Sequence, residues 1–320
     1  MKNTYKVMSS AALAGALLFG TAWGAAEAAG PMAAANSTAK SGGTLSAAKA
    51  KAPSVTQQGI TLEISQAIYD GNYVGITLKR SGEGLTGEIT GKYDEKTGED
   101  IYEKGAIKDL DLFIDGKPAH EYGGGKSMAQ KTQITQGKGS TKDMFDIRMA
   151  DPSWIGGNLK AFPDKFKLTA KVTLEGVDKP YTLDMTLQKT KGKALKPNLT
   201  KKSGKLNVSL GKLNLTSSSS RIQLIIKGLE KGKPSPINYE LVDDQGKELK
   251  KIFGHGSDDN DNNGVIYYDF VTDALSKNAK SITVKAYQYE LEPNGTAKED
   301  SNGETIKNYI KDLEMTVKVK

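Results

Sequence analysis

The 320-residue chain carries 45 Lys and Arg, 38 Asp and Glu, two His and no Cys. The absence of cysteine excludes a disulfide, a thiolate nucleophile, a Cys-ligated zinc and a lipid-anchoring thiol, and His120 and His255 alone supply neither a zinc cluster nor a histidine relay. The length suits two domains of ordinary size, each with its own core, and the +7 net charge has to be located along the chain.

Residues 1–28 read as a secretory signal peptide. Lys2 and Lys6 precede an uncharged apolar run from Ala11 to Trp23, and Ala26-Glu27-Ala28 places small residues at a cleavage spacing. The apolar run is about 13 residues, whereas a membrane span needs about 20. The expected product is therefore secreted or extracytoplasmic, with no stable membrane insertion after cleavage. A cysteine-free composition suits a Gram-positive exterior. Residues 29–55, rich in Ala, Ser, Gly and Lys without apolar periodicity, read as a flexible tether.

From there the pattern has period two. Ile60, Leu62 and Ile64 are followed by the turn Asp70-Gly71-Asn72, then by Val74, Ile76 and Leu78. Leu110, Leu112 and Ile114 come next, then Phe145, Ile147 and Met149, the longer set Phe166 to Leu174, and Tyr181 to Leu187. Alternation closed by Gly, Asn, Asp or Pro predicts half-buried antiparallel strands over a first β-sandwich domain, 56–188. Residues 189–205 contain Lys189, Lys191, Lys193, Lys196, Lys201, Lys202 and Lys205 with no acid, and read as a linker that continues into an edge strand. Alternation resumes at Leu206, Val208 and Leu210 and runs through Ile222 to Ile226, Ile237 to Leu241, Val265 to Phe270, Ile282 to Ala286 and Leu313 to Val319. This predicts a second, immunoglobulin-like sandwich, 206–320, without the Cys–Trp–Cys core of antibody domains. Thr305 to Lys311 reads as a short helix or an irregular loop. The fold class expected is all-β: two antiparallel β-sandwich domains after a signal peptide and tether.

Gln58 to Arg80, QGITLEISQAIYDGNYVGITLKR, resembles the opening of the bacterial family called domain of unknown function 4179, with its strand, "YDG" turn and second strand ending in a charged pair. Leu112 to His120 is similar to a later hairpin of that family. Lys212 to Gly228 is similar to the immunoglobulin-like domain that commonly follows it. The resemblance implies an extracytoplasmic sandwich pair, often the outer part of membrane-bound anti-sigma factors. It carries over no catalytic residue.

Few residues suggest chemistry. Asp259, Asp261 and Asn263, followed by Gly264, fit the first half of a calcium loop, in which alternate oxygens converge on a hard cation. The twelfth position is Phe270, so the last acidic ligand is missing, and a turn rich in Asn, Asp and Gly is the competing reading. No other cofactor is expected. Gly123 to Ser127 lacks the first glycine of a phosphate loop, and Ser209 with Lys212 lies in a strand pattern instead of at a helix start. Trp154 reads as a cap on the first core or as an exposed ligand platform. Tyr267, Tyr268, Tyr287 and Tyr289 fit strand faces or an interface.

Counted by segment, the two domains are slightly acidic, while residues 189–205 hold seven Lys and no acid. A polyanion such as teichoic acid or lipid headgroups would meet Lys189, Lys191, Lys193, Lys196, Lys201, Lys202 and Lys205. Expected export, and the lack of a basic motif interleaved with aromatics, argue against nucleic acid. The function expected is non-enzymatic recognition or structural interaction at the bacterial cell envelope, with a cell-wall polymer or envelope protein as partner. The alternatives are a sensor component related to anti-sigma signalling and an extracellular hydrolase.

Overall fold

Hairpin chemistry sets the first elements. The computed structural model describes residues 52–123, 133–135, 142–154, 159–230, 235–256 and 265–320. Strand β1 (Ser54–Gln57) turns into β2 (Ile60–Tyr69), and β2 turns into β3 (Tyr73–Gly82) at the expected Asp70-Gly71-Asn72. There Asp70 Oδ1 accepts the backbone N–H groups of Asn72 and Tyr73 at 2.9 and 3.1 Å, and Gly71 takes the left-handed conformation, φ 84°, that the turn requires. Asp70 and Asn72 are buried, so this turn is part of the packed structure.

The first unit continues with β4 (Lys92–Asp94), β5 (Glu99–Ile101), β6 (Ile107–Ile114), β7 (Lys117–Pro118), β8 (Gln133–Thr135), β9 (Met144–Ala150), β10 (Lys165–Leu174) and β11 (Tyr181–Gln188). One sheet has the order β1-β2-β3-β9-β8 and the other β11-β10-β6-β7, each antiparallel. Their inward residues share one core, with Leu62, Leu78, Phe145 and Ile147 from the first sheet and Leu112, Phe166, Leu168 and Leu183 from the second. Each such side chain contributes about 1.5–3 kcal/mol when fully buried. A one-residue register slip would turn a whole set outward, so the register is strongly specified.

The second unit holds β12 (Lys193–Leu195), β13 (Leu199–Ser203), β14 (Leu206–Leu215), β15 (Ser219–Lys227), β16 (Asn238–Asp243), β17 (Glu248–Leu249), β18 (Lys251–Gly256), β19 (Val265–Asp273), β20 (Ser281–Tyr289), β21 (Lys307–Tyr309) and β22 (Met315–Lys318). Its larger sheet runs β12-β14-β15-β19-β18, with β13 pairing β14 beyond β12; its smaller sheet runs β17-β16-β20-β21, with β22 also pairing β20. Val208, Leu224, Phe270, Leu241, Val284 and Met315 meet in its core. On the other side of β15, Arg221 is fully buried and donates from Nε and Nη2 to Asp269 Oδ2 of β19 at 2.6 and 2.5 Å.

Two expectations are corrected here. Residues 189–205 are strand more than linker: the expected edge strand is present as β13, and β12 also falls inside them, both pairing with β14 through backbone hydrogen bonds. The chain passes into the second unit after Thr190, and that unit also takes Trp154. With six of the seven lysines included, the second unit, 191–320, has 22 basic and 17 acidic residues, a net charge of +5 instead of slight acidity. Residues Thr305 to Lys311 are neither helix nor irregular loop, since β21 lies within them and a 3-10 turn follows at Lys311–Leu313. Among the described residues there is no α-helix, and no helix is long and apolar enough to cross a membrane.

Candidate functional site

Strand β21 places an unforeseen residue beside two that the sequence had marked. Antiparallel pairing sets Tyr287 opposite Tyr309 and Tyr289 opposite Lys307, while β16 sets Glu240 opposite Lys285. Because Ile282, Val284 and Ala286 of β20 face the core, the alternate residues Lys285, Tyr287 and Tyr289 face outward. The rings of Tyr289 and Tyr309 stand edge-on to Tyr287, with centroids 5.2 and 6.0 Å away. Lys285 and Lys311 bring their ammonium groups to 5.5 and 5.9 Å from the Tyr309 ring, and Lys307 comes to 4.9 Å from the Tyr287 ring. Tyr309 is 43% exposed while Tyr287 is buried beneath it.

Glu240 ties this cluster together. It is 7% exposed, and its two oxygens accept separately, from the Tyr309 hydroxyl at 2.8 Å and from Lys307 Nζ at 2.8 Å. Partial burial, the hydrogen bond to Glu240 and the Glu240 charge push the Tyr309 phenol up to about 12, against the opposing Lys307 charge. For Lys307, burial pulls the ammonium down, but the Glu240 hydrogen bond and the charges of Glu248 and Glu240 outweigh it, and the net shift is upward. Both groups therefore stay protonated at neutral pH. The face offers aromatic surface, hydroxyls and cations.

The seven lysines of 189–205 have different partners and exposures. Lys189 lies in the first unit, ion-paired with Asp164. Lys193 Nζ donates to the Val319 carbonyl at 2.7 Å. Lys201 and Lys202 are exposed on β13 and alternate sides, Lys201 lining a shallow groove with Leu199, Lys311, Glu314, Met315 and Thr316. Lys191, Lys196 and Lys205 are exposed. Asp259, Asp261 and Asn263 lie outside the described residues, as do 124–127. Among the described residues no group of three or more His, Asp or Glu could hold a metal ion.

The other marked aromatics have structural places. Trp154 is neither a cap on the first core nor an exposed platform. It is buried within the second unit, with the Arg221 guanidinium 4.8 Å from its ring and its carbonyl accepting from Gln223. Tyr268 packs between Tyr239 and Phe270, at 5.9 and 5.7 Å. His120 is half-buried in the 3-10 turn Ala119–Gly123. Tyr309 and Lys307 were missed because a polar run with one tyrosine shows too little alternation. The only signal was their separation by two, which puts them on one side of any strand.

A family of unknown function matches residues 192–319. The family, DUF5643, thus spans nearly all of the second unit and is different from the one that the opening hairpin resembles. No curated protein matches the chain. Among solved structures, a conserved domain protein from Bacillus anthracis is similar with 14% identity and a TM-score of 0.50, covering 83% of this chain and 89% of that one. At that identity the likeness bears on fold alone. Bovine butyrophilin, at 8% identity and a TM-score of 0.21, covers 80% of this chain and 95% of its own, and carries no argument.

Proposed function

We propose that the protein is an extracytoplasmic, non-enzymatic recognition protein of the bacterial cell envelope, and that the outer face of β16, β20 and β21 is its contact surface. The observation that carries this reading is the Tyr287–Tyr289–Tyr309 cluster with Lys285, Lys307 and Lys311 around it. A half-exposed tyrosine anchored by a buried carboxylate loses little entropy on binding, which is why tyrosines dominate recognition surfaces. The signal-peptide pattern at residues 1–28 supports export. The upward shifts on Tyr309 and Lys307 support binding over acid–base chemistry, since neither group is a base at neutral pH. The likeness of Gln58–Arg80 to domain of unknown function 4179 fits an envelope location.

The test is sedimentation of the full mature chain with isolated cell envelopes. Wild type is expected to co-sediment, Tyr309→Ala to lose most of that binding, and Tyr309→Phe, which keeps the ring, to retain it. Equal sedimentation by wild type and Tyr309→Ala would overturn the assignment of the face, and absence of wild-type binding would overturn the envelope role.

A further inference from the structure

The outer face of the smaller sheet of the second unit does not end at its tyrosines. Along β20 the outward residues run Ser281, Thr283, Lys285, Tyr287 and Tyr289. At the Ser281 end, β22 sets Lys318 directly opposite. There a cleft of about 560 Å³ is lined by Asp244, Lys280, Ser281, Lys318 and Lys320. Asp244 is the one carboxylate of the lining, and its Oδ1 already accepts the Lys280 backbone N–H at 3.0 Å. Lys320 is steadied by donating to the Lys277 carbonyl at 2.7 Å. All three lysines are exposed. Exposed lysines lining one concavity repel one another, and an anion relieves that repulsion.

Between the cleft and the tyrosines the same face carries the hydroxyl pair Thr283 and Thr316, 3.0 Å apart, and then Lys285. From Ser281 to Tyr289 a strand extends about 26 Å at about 3.3 Å per residue. Cations therefore recur along the face, at the Lys280–Lys318–Lys320 cleft and again at Lys285, with hydroxyls and aromatic rings between and beyond them, while Lys307 is already paired with Glu240 and Glu248. A compact anion would use one end only. A linear polymer with charges at regular intervals and polar, carbon-rich units between them would use the whole length.

We propose that this face is a binding track for a linear phosphodiester polymer, with its phosphates at the lysine cleft and its polyol or sugar units against Tyr309. The proposal rests on the reading of the tyrosine face as the contact surface, and adds the ligand class and the second subsite. The lysines assigned to the ligand are Lys280, Lys318 and Lys320, and not the stretch 189–205 that the sequence had singled out.

The full mature chain is titrated with poly(glycerol phosphate), with dextran of similar length as the uncharged control and an acidic peptide as the other polyanion. Wild type is expected to bind the phosphodiester polymer, at least about 10-fold more weakly at about 300 mM than at about 50 mM salt, since screening weakens exposed charge pairs. The variant K280Q/K318Q/K320Q is expected to bind at least about 10-fold more weakly with a flatter salt dependence and an unchanged melting temperature, since substitutions of exposed lysines barely alter stability. Tyr309→Ala is expected to weaken binding with the salt dependence kept. Undiminished binding by the lysine variant overturns the cleft. Equal or tighter binding of dextran or of the acidic peptide overturns the ligand class. If polymer binding fails while Tyr309→Ala still abolishes envelope sedimentation, the ligand class falls and the contact-face reading stands.

Discussion

Asp269→Asn should unfold the second unit far more readily than a surface change. In the native protein Arg221 and Asp269 are both fully buried, and the guanidinium makes two charge-assisted bonds to Oδ2, at 2.6 and 2.5 Å, with Trp154 across its other face. The asparagine keeps shape and volume but removes the negative charge, so the buried guanidinium loses its carboxylate counter-charge. Removing one partner of a buried pair costs about 3–5 kcal/mol. With a urea slope of about 2 kcal/mol per molar, the midpoint falls by about 2 M. Trp154 is the assay. Its ring lies 4.8 Å from Arg221, so its fluorescence follows this unit during a urea titration. The double variant R221M/D269L, which removes both charges and leaves apolar side chains, should recover most of the loss. A midpoint shift below about 0.5 M for Asp269→Asn would refute the reasoning, because it would mean that water or another group compensates the charge.

Tyr309 gives a pH prediction. Its folded-state value is raised to about 12 from an ordinary 10.0, so the stability it contributes is complete below pH 10, and is lost as pH rises towards 12. Because other buried tyrosines are also shifted up, the ultraviolet titration of wild type minus that of Tyr309→Phe should show one phenol ionising well above the ordinary range, and Glu240→Gln should move it back towards that range. Asp151→Ala removes the acceptor of the Ser153 N–H and hydroxyl at 2.9 and 2.5 Å and of the Phe162 N–H at 2.8 Å, all in a site 3% exposed, and should cost about 2–4 kcal/mol in the urea midpoint. Gly228→Ala should destabilise by at least about 2 kcal/mol, since φ is 87° and the added Cβ would stand 2.1 Å from the Lys205 carbonyl oxygen; unchanged thermal melting would contradict it. Replacing Lys201 and Lys202 on β13 with valine should leave melting nearly unchanged but produce self-association in light scattering, because lysines on an edge strand block edge-to-edge pairing.

Alternation determined most of the architecture. Sets such as Ile60-Leu62-Ile64 and Ile282-Val284-Ala286 turn one face of each strand to water and the other to a core, and antiparallel sandwiches follow from that period. The buried turn at Asp70 was legible for the same local reason, since its side chain, its backbone and Gly71 act within four residues. Short strands were not legible. A three-residue strand such as β21 or β12 has no period to read.

The candidate site illustrates the division. Sequence by itself marked Tyr287 and Tyr289, but left them grouped with Tyr267 and Tyr268, which pairing assigns to β19 in the other sheet. Only the tertiary structure joined Tyr287 and Tyr289 to Tyr309, Lys307 and Glu240, residues up to 69 positions apart, and moved the cationic focus from 189–205 to a cleft at Lys280, Lys318 and Lys320. Periodicity records which way one strand faces. Which strands become neighbours depends on closing loops and burying two sheets together, and that non-local choice brings the charges and rings to one face.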